Sequence, residues 1–244
     1  MMLFIGVYEV CEHMRDLFPN TVSYNRFVEL ERKVAVPFIL FVKKCCMGVC
    51  TGISFVDSTA LRVCRDQRIH LHRVFKGLAR RGQCSMGWFY GFKLHLICNE
   101  KGDLLNFMVT PGNVDDREPL RNKSFVEQIF GKLVGDKGYI SKEHFSRLFV
   151  DGIQLITKLK NNMKGQVMTV SDKLLLRKRA LIETINDVLE NMARIKHSRH
   201  RSVSGFMVNL MAGLAAYSFF PKKPMIDVER VSPYENNIIQ LELF

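Results

Sequence analysis

The spacing of apolar and polar positions changes several times along the chain, and each change marks an expected element. Residues 1–50 read as mostly helical, with an interruption at Pro37 and a basic link at Lys43-Lys44. Ile53-Ser54-Phe55-Val56 is a short β-leaning run that predicts a buried strand, and Trp88–Cys98 and Leu104–Val109 predict two more. The last two are joined by Asn99-Glu100-Lys101-Gly102-Asp103, a hairpin loop, so the three strands form a β-meander. Residues 117–130 read as a helix, Lys132–Gly135 as a strand, Lys142–Phe149 as a second helix and Ile153–Thr157 as a fifth strand. Lys158–Asp172 is polar and basic, a loop or small insertion. From Leu174 to Ile195 the pattern becomes helical, with Leu175, Ile182, Ile185, Leu189 and Met192 close to a 3.6-residue repeat.

This order predicts an α/β fold: a mixed five-strand sheet with helices on its faces, preceded by the small helical segment. Three regions are expected, namely residues 1–50, a core domain over 51–220 and a tail over 221–244. The apolar stretch Gly205–Phe220 spans only 16 residues and contains Asn209, so it reads as a buried final helix and not a bilayer crossing. The start lacks a secretory pattern, which predicts a cytoplasmic protein. Seven cysteines, an odd number, fit a reducing compartment better than a disulfide framework. Cys45, Cys46 and Cys50 have no matching ligand pair downstream, and a structural zinc is not expected.

Charge narrows the partner. Lys and Arg number 36 against 24 Asp and Glu, a net charge of +12, and such excess binds phosphate backbones through counterion release. The charge clusters between Arg62 and Arg81 and again in Arg194-Ile195-Lys196-His197-Ser198-Arg199-His200-Arg201, directly after the 174–195 helix. Against this basic background three acids stand out. Asp57 is expected at the end of the first strand, Asp136 at the end of Leu133-Val134-Gly135, and Glu183 beside the apolar stripe of the helix. Two strand ends can face each other, and one helix can aim a third carboxylate at them. Three carboxylates suit Mg²⁺, and two such ions about 3.5–4 Å apart can serve phosphodiester chemistry. Taken alone, the same acids also read as caps, turn residues and a solvated face.

The wording around the acids goes further. Phe55-Val56-Asp57-Ser58-Thr59, Gly87-Trp88-Phe89-Tyr90-Gly91-Phe92-Lys93-Leu94-His95, Thr110-Pro111-Gly112-Asn113-Val114-Asp115-Asp116-Arg117, Gly135-Asp136-Lys137-Gly138-Tyr139 and Arg179-Ala180-Leu181-Ile182-Glu183 occur in that order. The chain thereby resembles the DDE transposases of bacterial insertion sequences from about Tyr24 to Pro224. The resemblance implies a ribonuclease H-like catalytic domain in which Asp57, Asp136 and Glu183 are the catalytic and metal-holding residues for two Mg²⁺ (or Mn²⁺) ions. It also implies strand cleavage and strand transfer on transposon-end and target DNA, with a homodimer as the active form and the nucleoid as the place of action. Arg179, Lys178, Arg194, Lys196, Arg199, Arg201 and Lys137 are the expected DNA contacts.

Two departures qualify the match. Related transposases often carry a Tyr three positions before the Arg and a Lys seven positions after the Glu, where this chain has Leu176 and Glu190. The start is also expected to be short of a helical segment. These features keep two alternatives in view, an inactive truncated DNA-binding relic and a general ribonuclease H-like nuclease. His95, Asp115, Asp116 and Trp88 read as structural residues, a strand histidine, turn caps and a core aromatic.

Overall fold

The computed structural model describes residues 20, 22–158, 169–196 and 200–227. Helix α1 (Tyr24–Cys45) runs straight through Pro37 instead of breaking there. Proline removes one backbone donor from a helix interior at a cost of about 3 kcal/mol, and packing offsets it. Val42 is fully buried, Phe38 and Ile39 lie against the core, and Cys46 follows one turn later. Their partner is the last helix, α6 (Val203–Ser218), whose Phe206, Leu210, Met211 and Leu214 are buried.

Between them in the chain comes a mixed sheet of six strands, one more than the pattern predicts. Strand β1 (Ile53–Cys64) pairs antiparallel with β3 (Gly87–Asn99) along most of its length. The opposite edge of β3 is shared end to end by β2 (Arg80–Cys84) and β4 (Leu104–Pro111). Strand β5 (Gly131–Gly135) pairs parallel with β1, and β6 (Ile153–Thr157) pairs parallel with β5. Four strands paired antiparallel, β1 to β4, followed by two added in parallel, with helices on the faces, form an α/β sheet of ribonuclease H-like kind.

The pattern misses β2 because its residues, Arg80-Arg81-Gly82-Gln83-Cys84, belong to the basic run. A short charged strand at a sheet margin is a common guard against edge pairing. The pattern also ends β1 too early. Asp57 and Ser58 interrupt the apolar run, but pairing with β3 carries the strand on to Cys64, so Asp57 lies inside β1 and not at its end. The expected helix over 117–130 is instead a 3₁₀ turn at Glu118–Arg121 and a single turn, α2 (Lys123–Val126). Asn122 divides them by accepting the Ser124 backbone N–H on its side chain.

The hairpin over 99–103 forms as expected. Asn99 Oδ1 accepts the Lys101 and Asp103 backbone N–H groups, and Gly102 takes φ +80°, a left-handed turn that glycine accommodates. The Tyr217 hydroxyl of α6 donates to the Gly102 carbonyl, and Lys223 pairs with Asp103 at 2.7 Å, so the tail closes over the same turn. Gly91 is required for a different reason. A Cβ there would stand 2.0 Å from the Leu61 carbonyl oxygen of β1.

Helix α3 (Lys142–Val150) links β5 to β6. The expected helix over 174–195 is two, α4 (Val170–Arg177) and α5 (Ala180–Asn191). The Leu181 N–H bonds to the Lys178 carbonyl, a tightened 3₁₀ connection that re-aims the second helix. Leu181, Ile182, Ile185 and Leu189 of α5 are buried against the sheet face that carries Phe55, Leu61, Val134 and Ile156. Each such side chain contributes roughly 1.5–3 kcal/mol on full burial. Of the expected 158–172 loop, residues 159–168 lie outside the described residues, and 170–172 open α4. No described helix is long and apolar enough to cross a membrane.

Candidate active site

Alternation along β1 decides where Asp57 points. Phe55, Asp57, Thr59 and Leu61 share a face by the two-residue strand period, and Phe55 and Leu61 belong to the core that α5 covers. Parallel pairing sets Phe55 of β1 beside Val134 of β5. Asp57 lies two residues beyond Phe55 within β1, and Asp136 lies two beyond Val134, one residue past the end of β5. Asp136 is exposed, caps the 3₁₀ turn Lys137–Tyr139 with extended dihedrals and uses no side-chain bond to do so. Helix α5 brings Glu183 to that face in its first turn, half exposed, while Ile182 beside it packs inward.

Asp57 feels the other two acids. The Asp57 carboxyl is pushed up to about 6, chiefly by burial, with Arg179 lowering it and the Glu183 and Asp136 charges adding to the rise. Arg179 Nη1 stands 3.7 Å from Asp57 Oδ1, and its Nη2 donates to Glu183 Oε1. On the other side, Asn186 Nδ2 donates to Asp57 Oδ2 at 3.1 Å. Asn186 Oδ1 is buried and has no hydrogen-bond partner among the described residues.

A cleft of about 940 Å³ opens along the edge of β1, lined by Asp57 and Glu183 but not by Asp136. Strand β5 pairs with β1 only at Ile53–Phe55, so the edge beyond it is free for the cleft. Asp57, Arg62 and Arg65 line one wall, and Glu183, Asn186 and Glu190 the other. Thr59 donates to Glu190, which also pairs with Lys196. Five carboxylates against three basic side chains line the space, so it is locally acidic within a chain of net charge +12.

Does this arrangement fit a divalent cation? Among the described residues, no three His, Cys, Asp or Glu side chains stand close enough together to hold a metal ion as they are placed. The donor types nevertheless suit such a cation: carboxylates on β1, just after β5 and on α5 would offer hard oxygens, and Asn186 has a buried carbonyl oxygen with no partner among the described residues. A guanidinium already bridges two of the acids.

The expected DNA contacts fall in different places. Lys178, Arg194 and Arg201 are exposed after or between α4, α5 and α6, and Lys137 is exposed beside Asp136. Lys196 lines the cleft. Arg179 is turned inward onto the acids, and Arg199 lies outside the described residues. Asn186 is not evident from pattern alone; its signal is a polar residue within the apolar stripe Ile182, Ile185 and Leu189.

The opposite sheet face carries a second polar group. Asp116 Oδ1 accepts from the Ser58 hydroxyl and from Lys93 Nζ, each at 2.9 Å, and Lys93 also donates to the Val114 carbonyl. Asp115 instead caps its own turn, accepting from the Arg117 backbone and guanidinium, which holds its carboxyl well below the usual range. His95, fully buried, meets Thr110 Oγ1 at 2.8 Å. Trp88 is exposed at 58 % and does not pack the core as its aromatic run suggests.

Comparison with known proteins places the geometry in context. The family model described as "Transposase DDE domain" matches residues 47–203, well over half of the chain. No curated protein sequence matches. Among solved structures, the piggyBac transposase synaptic complex with hairpin DNA, determined by cryo-EM, is similar with a TM-score of 0.49 and 11 % identity. The match covers 76 % of this chain and 50 % of that one, so the chain spans half the length of that neighbour.

Proposed function

As the chain belongs to the transposase DDE domain family, we propose that it cuts DNA strands at the ends of an insertion sequence and joins them to target DNA. The observation that carries this reading is the register of β1 and β5. The ladder ends at Phe55 beside Val134, Asp57 and Asp136 follow two residues on, and Glu183 of α5 shares the Arg179 guanidinium with Asp57.

Asp57, Asp136 and Glu183 would hold two Mg²⁺ (or Mn²⁺) ions, with the Asn186 carbonyl oxygen as a further donor. When bound, such a pair supplies Lewis-acid stabilisation of the attacking and leaving oxygens of an in-line displacement. The chain's own residues do the rest. Asn186 fixes Oδ2 of Asp57, while Oδ1 faces the Arg179 guanidinium. Arg62 and Arg65 on the β1 side, with the exposed Lys137, Lys178, Arg194 and Arg201 around the mouth, hold phosphates of the bound strand. Water attacks the phosphodiester at the element end and frees a 3′-hydroxyl. That hydroxyl is the nucleophile of the second displacement, on target DNA, so no covalent protein intermediate and no ATP are needed. The active form is a homodimer acting on nucleoid DNA in the cytoplasm.

The test is Asp57→Ala assayed with Mg²⁺ on DNA bearing element ends. Loss of nicking and joining with nonspecific binding nearly intact is expected; unchanged cleavage overturns the assignment. Cutting without end preference or joined products in the unaltered protein would favour a general ribonuclease H-like nuclease.

A further inference from the structure

Arg179 occupies an unusual place. It is the N-cap of α5, where aligned peptide dipoles favour negative charge, and its side chain makes no capping bond. Helix electrostatics therefore does not account for a cation at this position. Nor does solvent exposure, since its side chain is only 19 % exposed although arginine reaches water easily. Its two terminal nitrogens instead face two acids that are distant in sequence, Asp57 on β1 and Glu183 one turn along α5. A guanidinium stays charged under all physiological conditions and offers a planar fork to carboxylates.

From this placement we propose that Arg179 is a built-in counter-ion: it holds Asp57 and Glu183 together while the site is free of metal, and it is displaced when a divalent cation enters. The inference rests on the metal-site reading of the proposed function. Without the guanidinium, like charges at Asp57, Asp136 and Glu183 would repel in a partly dry pocket. With it, the carboxylates stay gathered, and a cation must compete for their oxygens. Arg179 thus sets the metal concentration at which the site fills and is a positioning residue toward the metal ligands. The 3₁₀ connection at Lys178–Leu181 gives the device its geometry by placing Arg179 at the start of the same helix that carries Glu183.

The experiment is a calorimetric titration of the full chain with Mn²⁺ in the absence of DNA, comparing the unaltered protein with Arg179→Gln and Arg179→Lys. Removing the competing charge should tighten Mn²⁺ binding on the order of tenfold, the equivalent of about 1.4 kcal/mol. It should also lower the melting temperature of the metal-free protein, with the loss regained at saturating Mn²⁺. Arg179→Lys, which keeps the charge, should stay near the unaltered affinity. Equal or weaker Mn²⁺ binding by Arg179→Gln overturns the counter-ion role, because an arginine that only touched DNA would leave metal affinity unchanged. A second reading on the unaltered protein guards against a folding defect. The Arg179 Nη–H resonances should be protected from exchange without metal and lose that protection as Mg²⁺ is added; protection that persists at saturating Mg²⁺ overturns displacement. If the unaltered protein binds no Mn²⁺ at millimolar concentration, the metal site itself fails and this inference with it. Metal binding with unaltered affinity in Arg179→Gln removes only the inference.

Discussion

Asn186 of α5 donates from Nδ2 to Oδ2 of Asp57 at 3.1 Å, joining residues 129 positions apart. Hydrogen bonds to a charged partner in partly buried surroundings are worth about 1.5–3 kcal/mol. Asn186→Ala should therefore lower unfolding stability by about 2 kcal/mol in a urea titration. It should also reduce cleavage while leaving salt-dependent DNA binding in place. An unchanged urea midpoint would show that the bond contributes nothing to the fold.

Asp116 and Lys93 form an unequal pair. The Lys93 side chain is 10 % exposed and that of Asp116 is 35 % exposed, so removing either partner strands a different charge. Asp116→Ala leaves a buried ammonium with only the Val114 carbonyl, which should cost roughly 3 kcal/mol. Lys93→Met leaves a carboxylate that can turn to water and still accept from Ser58, at a cost of about 1 kcal/mol. Urea midpoints of the two variants check the order; a larger loss for Lys93→Met would contradict it.

His95 makes the fold acid-sensitive. Burial pushes its imidazole down to about 4, with Lys93 lowering and Asp116 raising it. In the unfolded chain the same group takes a proton below about 6.5. Between these values the unfolded state holds more protons, so stability is full above about 6.5 and is lost as pH falls toward 4, by about 3 kcal/mol in all. His95→Gln, which keeps a polar partner for Thr110, should flatten stability over that window. An identical acid profile for the variant would show that another group governs it.

Much of the sheet is legible in the sequence because its strands are short apolar runs bounded by turn residues. The hairpin at Asn99–Asp103 is the clearest case, and β5 and β6 lie within a residue of their predicted limits. What pattern misses is decided by long-range pairing. Polar residues after Val56 hide the far half of β1, and arginines hide β2, yet β3 pairs with both. The break between α4 and α5 is hidden as well, since Lys178 and Arg179 are good helix formers. Asp57, Asp136 and Glu183 stand out in the sequence through their neighbours' wording. Asn186 does not, because a polar residue inside an apolar stripe gains meaning only once its partner strand is known. Arg179 reads from sequence as a DNA contact, and its position against two acids depends on how α5 is aimed.

The central claim is that Asp57, Asp136 and Glu183 share one divalent-metal site, and iron-directed cleavage of the polypeptide tests it most directly. Fe²⁺ substituted for Mg²⁺, with ascorbate and peroxide, releases hydroxyl radicals that cut the chain beside the metal. Cuts near residues 57, 136 and 183 together, all suppressed by excess Mg²⁺, are predicted. Cuts confined to one of the three positions, or found elsewhere, would contradict the account.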